Sequence, residues 1–111
     1  MVIGLYSFEA TTSPERTPEE RLQAEKRDMG LLACTRAHDL VREQLTSPST
    51  AEFASCHGQE HQIAVSDELD RAIVMGYVDS QNAFGATVRT EFGVRFDVDD
   101  DNFTATDIAM D

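Results

Sequence analysis

The sequence predicts an α+β fold, with one long N-terminal helix packed on an antiparallel meander of three to four strands. Three observations carry that expectation. A capped segment after Thr17 repeats its apolar residues at helical steps. Residues 86–98 alternate apolar and charged side chains, the mark of a strand with one face in the core and one in water. Residues 71–79 (RAIVMGYVD) are apolar on both faces, which suits a central strand. At 111 residues and 41% hydrophobic content, the chain suits a single folded domain spanning 1–111.

The elements follow in order. Residues 2–8 (VIGLYSF) are apolar and read as an edge strand or an arm docking on a partner, a second copy of the chain included; with the linker that follows, this arm occupies 1–13. The helix is expected over 17–46. Thr17 is a good N-cap, Pro18 fits the first helical position and Glu20 completes a T-x-x-E capping box. Leu22, Met29, Ala33, Ala37, Leu40, Val41 and Leu45 form its buried stripe. Gly30 weakens the middle and predicts a kink or break. Residues 19–28 are mostly charged and belong on the surface, and Ser47-Pro48 ends the helix.

The sheet is expected over 60–110. Residues 62–65 form a first strand and 71–79 a central one, with a polar turn at 79–82. Gly85 permits a positive φ. On the 86–98 strand, Val88, Phe92, Val94, Phe96 and Val98 point one way, and Arg89, Glu91, Arg95 and Asp97 the other. Residues 99–102 turn the chain, and 103–110 return as a last strand. Leu40 and Val41 are the best cover for Val88, Phe92 or Phe96.

Net charge is −12 and unevenly spread. Residues 97–111 hold Asp97, Asp99, Asp100, Asp101, Asp107 and Asp111 without one basic residue, and the block 58–70 adds Glu60, Asp67, Glu68 and Asp70. Such a field repels nucleic acid and anionic membrane and attracts basic surfaces. The positive residues are Arg apart from Lys26, a bias that a GC-rich genome or a salt-adapted proteome also produces. No apolar run is long enough to span a membrane, and residues 1–8 lack the basic start of a signal peptide. A cytoplasmic protein is expected.

The segments SPSTAEF (47–53) and GYVDSQNAFGATVRTEF (76–92) give the sequence a likeness beyond composition. Over residues 30–98 the chain resembles a small α+β domain of bacteria and their phages, with the pattern SPSTAxF…YVDxQNxFGAxVRxxF and no established activity. The resemblance implies a fold unit in which the Ser-Pro-Ser-Thr-Ala segment turns the chain from helix to sheet. Members of that family often carry a Cys at the position of Val94, facing the helix Cys. Its absence here weakens the case for a structural disulfide.

Both Cys and all three His lie between residues 34 and 61. Cys34 and His38 share a helix face, and Cys56, His57 and His61 follow in a loop. Cys34, His38, Cys56 and His61 have the ligand types of a zinc site, but C-x3-H…C-x4-H is not a finger spacing. Cys34 also sits on the apolar stripe, so unpaired, partly buried thiols are the expectation, with a Cys34–Cys56 disulfide and a metal site as alternatives. No metal or other cofactor is expected. Asp97, Asp99 and Asp101 imitate the start of a calcium loop, but Asn102 and Ile108 stand where that loop needs Gly and Glu. Asp79, Gln81, Asn82, Phe84 and Arg89 could form a binding loop, yet the simpler expectation is a demanding turn satisfied by its own side chains. No nucleophile elbow, P-loop or dinucleotide fingerprint is present.

The expectation is a non-catalytic acidic protein that occupies a basic or nucleic-acid-binding site on a partner protein, using Asp97, Asp99, Asp100, Asp101, Glu60, Asp67, Glu68 and Asp70. A phage-encoded inhibitor, such as an anti-CRISPR that mimics nucleic-acid charge, is its sharpest form. The alternatives are an accessory domain whose acidity serves solubility and a metal-dependent sensor or enzyme built on the Cys/His group.

Overall fold

The computed structural model describes residues 17–111, and the arm expected over 1–13 lies outside them. Helix α1 (Pro18–Glu43) is followed by a 3-10 turn (Pro48–Thr50) and five strands. These are β1 (Glu52–Phe53), β2 (Gln62–Val65), β3 (Arg71–Gln81), β4 (Thr87–Asp99) and β5 (Asn102–Met110). All pairings are antiparallel, and β3 is central, with β4 then β5 on one side and β1 and β2 end to end along the other. The α+β expectation holds. The extra strand is the two-residue β1, too short to show any periodicity.

Helix α1 begins as its sequence dictates. The Thr17 hydroxyl accepts from the Glu20 amide at 3.1 Å, and the Glu20 carboxylate accepts from the Thr17 amide at 2.9 Å. The helix ends at Glu43, three residues before the expected 46. Its buried face is Gly30, Ala33, Cys34, Ala37 and Val41, with Met29, Leu40 and Leu45 half-buried beside it. Small side chains let the helix axis lie close over β2 and β3. Gly30 causes no break. It is where α1 meets the sheet edge, since a Cβ there would stand 3.0 Å from Ile63 Cγ2.

The core joins that face to Ala72, Val74 and Val78 of β3 and Phe92, Val94, Phe96 and Val98 of β4. The alternation read in residues 86–98 is therefore the pleat of β4, except that Val88 stays 41% exposed beyond the reach of the helix. The polar run 79–82 is not a turn through its length. Strand β3 continues to Gln81 because Ser80 is buried and the residues pair on to Thr87 of β4. Among the described residues no helix covers the second face of the sheet, and Met75 is 44% exposed there.

Candidate functional site

Three groupings of side chains emerge from this framework. The first lies where β1 and β2 leave a gap along the β3 edge. Residues 54–61 leave the sheet there and bring Cys56 to the helix, where it forms a disulfide with Cys34. The expectation of unpaired thiols is corrected. The Cys34 position on the apolar stripe described its burial, not its bonding, and the loop crosses back over that stripe. No Cys at position 94 is needed.

Two imidazoles flank the disulfide. His38 Nε2 stands 3.6 Å from Cys34 Sγ, 3.8 Å from Cys56 Sγ and 2.9 Å from His61 Nε2. His38 also stacks on Phe53 at 4.1 Å between ring centroids. His61 is buried, with Nδ1 lacking a hydrogen-bond partner. Gly76 makes its place: a Cβ there would fall 2.7 Å from the His61 ring. Burial, then the neighbouring His61 and Arg42, lowers the His38 pKa to about 4, with Asp39 opposing. Burial lowers His61 as well, against Glu60 and the Ser55 main chain. Both shifts favour the neutral ring, which keeps a lone pair for a proton or a cation. His57 is exposed and outside the group.

The second grouping is acidic. The β2–β3 turn (66–70) and the β4–β5 turn (99–102) lie at the same end of the sheet, since Arg71 pairs with Asp97 and the Val98 amide donates to the Asp70 carbonyl at 2.8 Å. Asp67, Glu68 and Asp70 thereby join Asp97, Asp99, Asp100 and Asp101. The first turn is held by Ser66, whose hydroxyl accepts from the Asp70 and Arg71 amides at 3.1 and 3.0 Å. In the second, Asp100 takes φ 56°, a conformation Asp tolerates. The charged half of α1 reaches the same end. Glu25, Asp28, Asp100 and Asp101 rim a groove of about 220 Å³ whose other walls are Met29, Leu32, Leu69 and Phe103. Lys26 Nζ lies 2.6 Å from Asp67 Oδ1 and holds that carboxyl below its ordinary pKa. Glu60 is not part of this end. It sits in the 54–61 loop beside His61.

The third grouping is the turn after β3, and it is consumed by structure. Asn82 Oδ1 accepts from the Phe84 and Ala86 amides at 2.9 and 3.0 Å, and Gly85 takes φ 82°. Arg89 grips Asp79 with two hydrogen bonds of 2.8 and 3.0 Å and lies 3.9 Å over the Tyr77 ring. Thr50 Oγ1 donates to the Ser47 carbonyl at 2.7 Å and accepts from the Gln81 amide at 2.9 Å. The polar residues of both halves of the SPSTAEF…VDSQNAFGA pattern thus tie the helix exit to the end of β3. Phe84, 94% exposed, is the one large apolar side chain left at its tip among the described residues.

The calcium-like run Asp97, Asp99, Asp101 lies in a tight hairpin between paired strands, a different setting from a helix-flanked loop. No helix among the described residues is long and apolar enough to cross a membrane. Comparison with protein-family models, with curated proteins and with solved structures finds no match to this chain.

Proposed function

We propose that this chain is a non-catalytic binding protein whose acidic end takes a basic surface of a partner protein. The observation that carries the reading is the meeting of two acidic turns, about thirty residues apart in sequence, on one end of the sheet beside the charged half of α1. Same-side carboxylates along an extended strand fall about 7 Å apart, so Asp97 and Asp99 offer spaced anionic sites. The groove between the turn and the helix suits a basic side chain in particular. Glu25, Asp28, Asp100 and Asp101 face the cationic head, while Met29, Leu32, Leu69 and Phe103 accept its aliphatic stem.

Mimicry of nucleic-acid charge by a phage-encoded inhibitor acting in the cytoplasm is the sharpest form of this reading. It draws on the spaced carboxylates and on the sequence resemblance. Acidity for solubility is the competing account, favoured by the exposed acids Glu43, Glu52 and Glu91 away from that end.

A titration of isotope-labelled protein with a short arginine-rich peptide, followed by amide chemical shifts, separates the two. Shifts concentrated at 25–32, 67–71 and 97–103 support a docking end. Shifts spread over every acidic residue, Glu43, Glu52 and Glu91 included, would reduce the acidity to a solvating coat.

A further inference from the structure

We infer that the Cys34–Cys56 disulfide masks a zinc site of two Cys and two His, which reduction opens. Three of the four ligand atoms already cluster, and the fourth, Cys56 Sγ, is tied to that cluster by its bond to Cys34. His38 Nε2 stands 3.6 Å from Cys34 Sγ and 2.9 Å from His61 Nε2, and Cys56 Sγ lies beside the same ring, 3.8 Å from Nε2 and 4.0 Å from Nδ1, so that ring must turn or the sulfur shift for all four to bind one ion. One ligand atom each of Cys34, His38 and His61 lies within 4.8 Å of the others. Around a tetrahedral zinc with bonds of about 2.0–2.1 Å to nitrogen and 2.3 Å to sulfur, neighbouring ligand atoms stand about 3.3 to 3.8 Å apart. The separations from His38 to the two sulfurs are already of that size, whereas the 2.9 Å between the two imidazole nitrogens must open by about 0.4 Å to admit the ion. What the oxidised chain lacks is two free sulfurs, because each is bonded to the other.

The chemistry balances with a thiol reductant. Two R–SH give their hydrogens and two electrons to the disulfide, leaving Cys34–SH, Cys56–SH and R–S–S–R. Zinc then replaces both thiol protons, which pass to water, and the two thiolates and two imidazole lone pairs complete four-coordination. The donor set of soft sulfur and imidazole favours zinc over magnesium or calcium.

Two features support entry and support from behind. Cys56 is half-buried and lines a groove of about 510 Å³ between α1 and β2, which gives a reductant a way in, while Cys34 is fully buried. Its loop, 54–61, runs outside the strand pairings and can let the sulfurs part. Zinc on Nε2 puts the His61 proton on Nδ1, the atom that is buried without a partner, and the Ser55 main chain beside that ring is the acceptor at hand.

The test compares oxidised and reduced full-length chain. Each is titrated with zinc against a chromophoric chelator, the reduced sample in a non-chelating phosphine, and with cobalt(II) as a spectroscopic probe. The expected result is one zinc per chain in the reduced protein only, released on reoxidation, with thiolate-to-cobalt charge transfer and tetrahedral ligand-field bands. His38→Ala and His61→Ala should each weaken zinc by more than the roughly 10- to 100-fold lost with an outer-shell partner. His57→Ala should leave it unchanged. If reduction alone unfolds the chain, stoichiometric zinc should refold it, read by circular dichroism. Equal affinity of the oxidised and reduced chains, or His57→Ala weakening zinc as much as His61→Ala, would overturn the inference.

Discussion

Gly76 interrupts an apolar strand because the His61 ring occupies the space a side chain would need there. Adding one methyl should therefore cost about 1–3 kcal/mol, the range for overpacking a closed site, and should move His61 off His38. Gly93→Ala is the control, since its Cβ would meet Met75 Cγ at an ordinary 3.6 Å. Urea unfolding of both variants, with the histidine resonances as the local readout, checks the contrast. The same two rings set a pH dependence in the oxidised protein. The folded His38 pKa is about 4 against 6.5 unfolded, so between those values the unfolded chain holds the extra proton. Stability should be full above pH 6.5, fall as pH drops towards 4, and do so less in His38→Gln, as denaturant midpoints across that range would show. The sequence displayed the four residues of this cluster and the helix face shared by Cys34 and His38. It did not display the bond between Cys34 and Cys56, because loop 54–61 returns over the helix only once β1 and β2 have both docked on β3.

At the scale of elements, what was legible is what repeats. The capping box, most of the stripe of α1 and most of the pleat of β4 follow from local spacing, although α1 stops at Glu43, Leu22 lies outside the core and Val88 stays exposed. What misled was chemistry read without its partner. Gly30 looked like a break and is a contact with β2; residues 79–82 looked like a turn, yet β3 runs on to Gln81, which pairs with Thr87, and only Asn82 belongs to the turn. The role of Thr50 was equally hidden, since its acceptor and donor lie in two elements. Thr50→Val should remove the tie between the helix exit and the Gln81 amide and cost about 0.5–1.5 kcal/mol. Amide exchange should quicken first at Gln81 and the end of β3. Unchanged exchange there would mean that the hydrogen bond holds nothing in place.

For the whole molecule, two long-range events decide the account: closure of the Cys34–Cys56 loop and convergence of the acidic turns. The disulfide spans 22 residues, so reducing it without metal should lower stability by about 3 kcal/mol, measured by denaturant unfolding with and without reductant. The acid blocks were readable as composition, but only the register of β3 with β4 brings 67–70 next to 97–101 and leaves Glu60 elsewhere. The most direct measurement of the proposed docking end is association with an arginine-rich peptide by two variants of equal net charge. One changes Asp99, Asp100 and Asp101 to Asn, which keeps side-chain size and tolerates the Asp100 conformation. The other changes Glu43, Glu52 and Glu91 to Gln, all exposed and away from the acidic end. Charge steers encounter only within roughly a Debye length, about 8 Å at physiological salt, so position should matter more than total charge. The Asp variant should bind more slowly with a flatter salt dependence, while the Glu variant keeps the parent rate. Equal slowing in both would contradict a docking end.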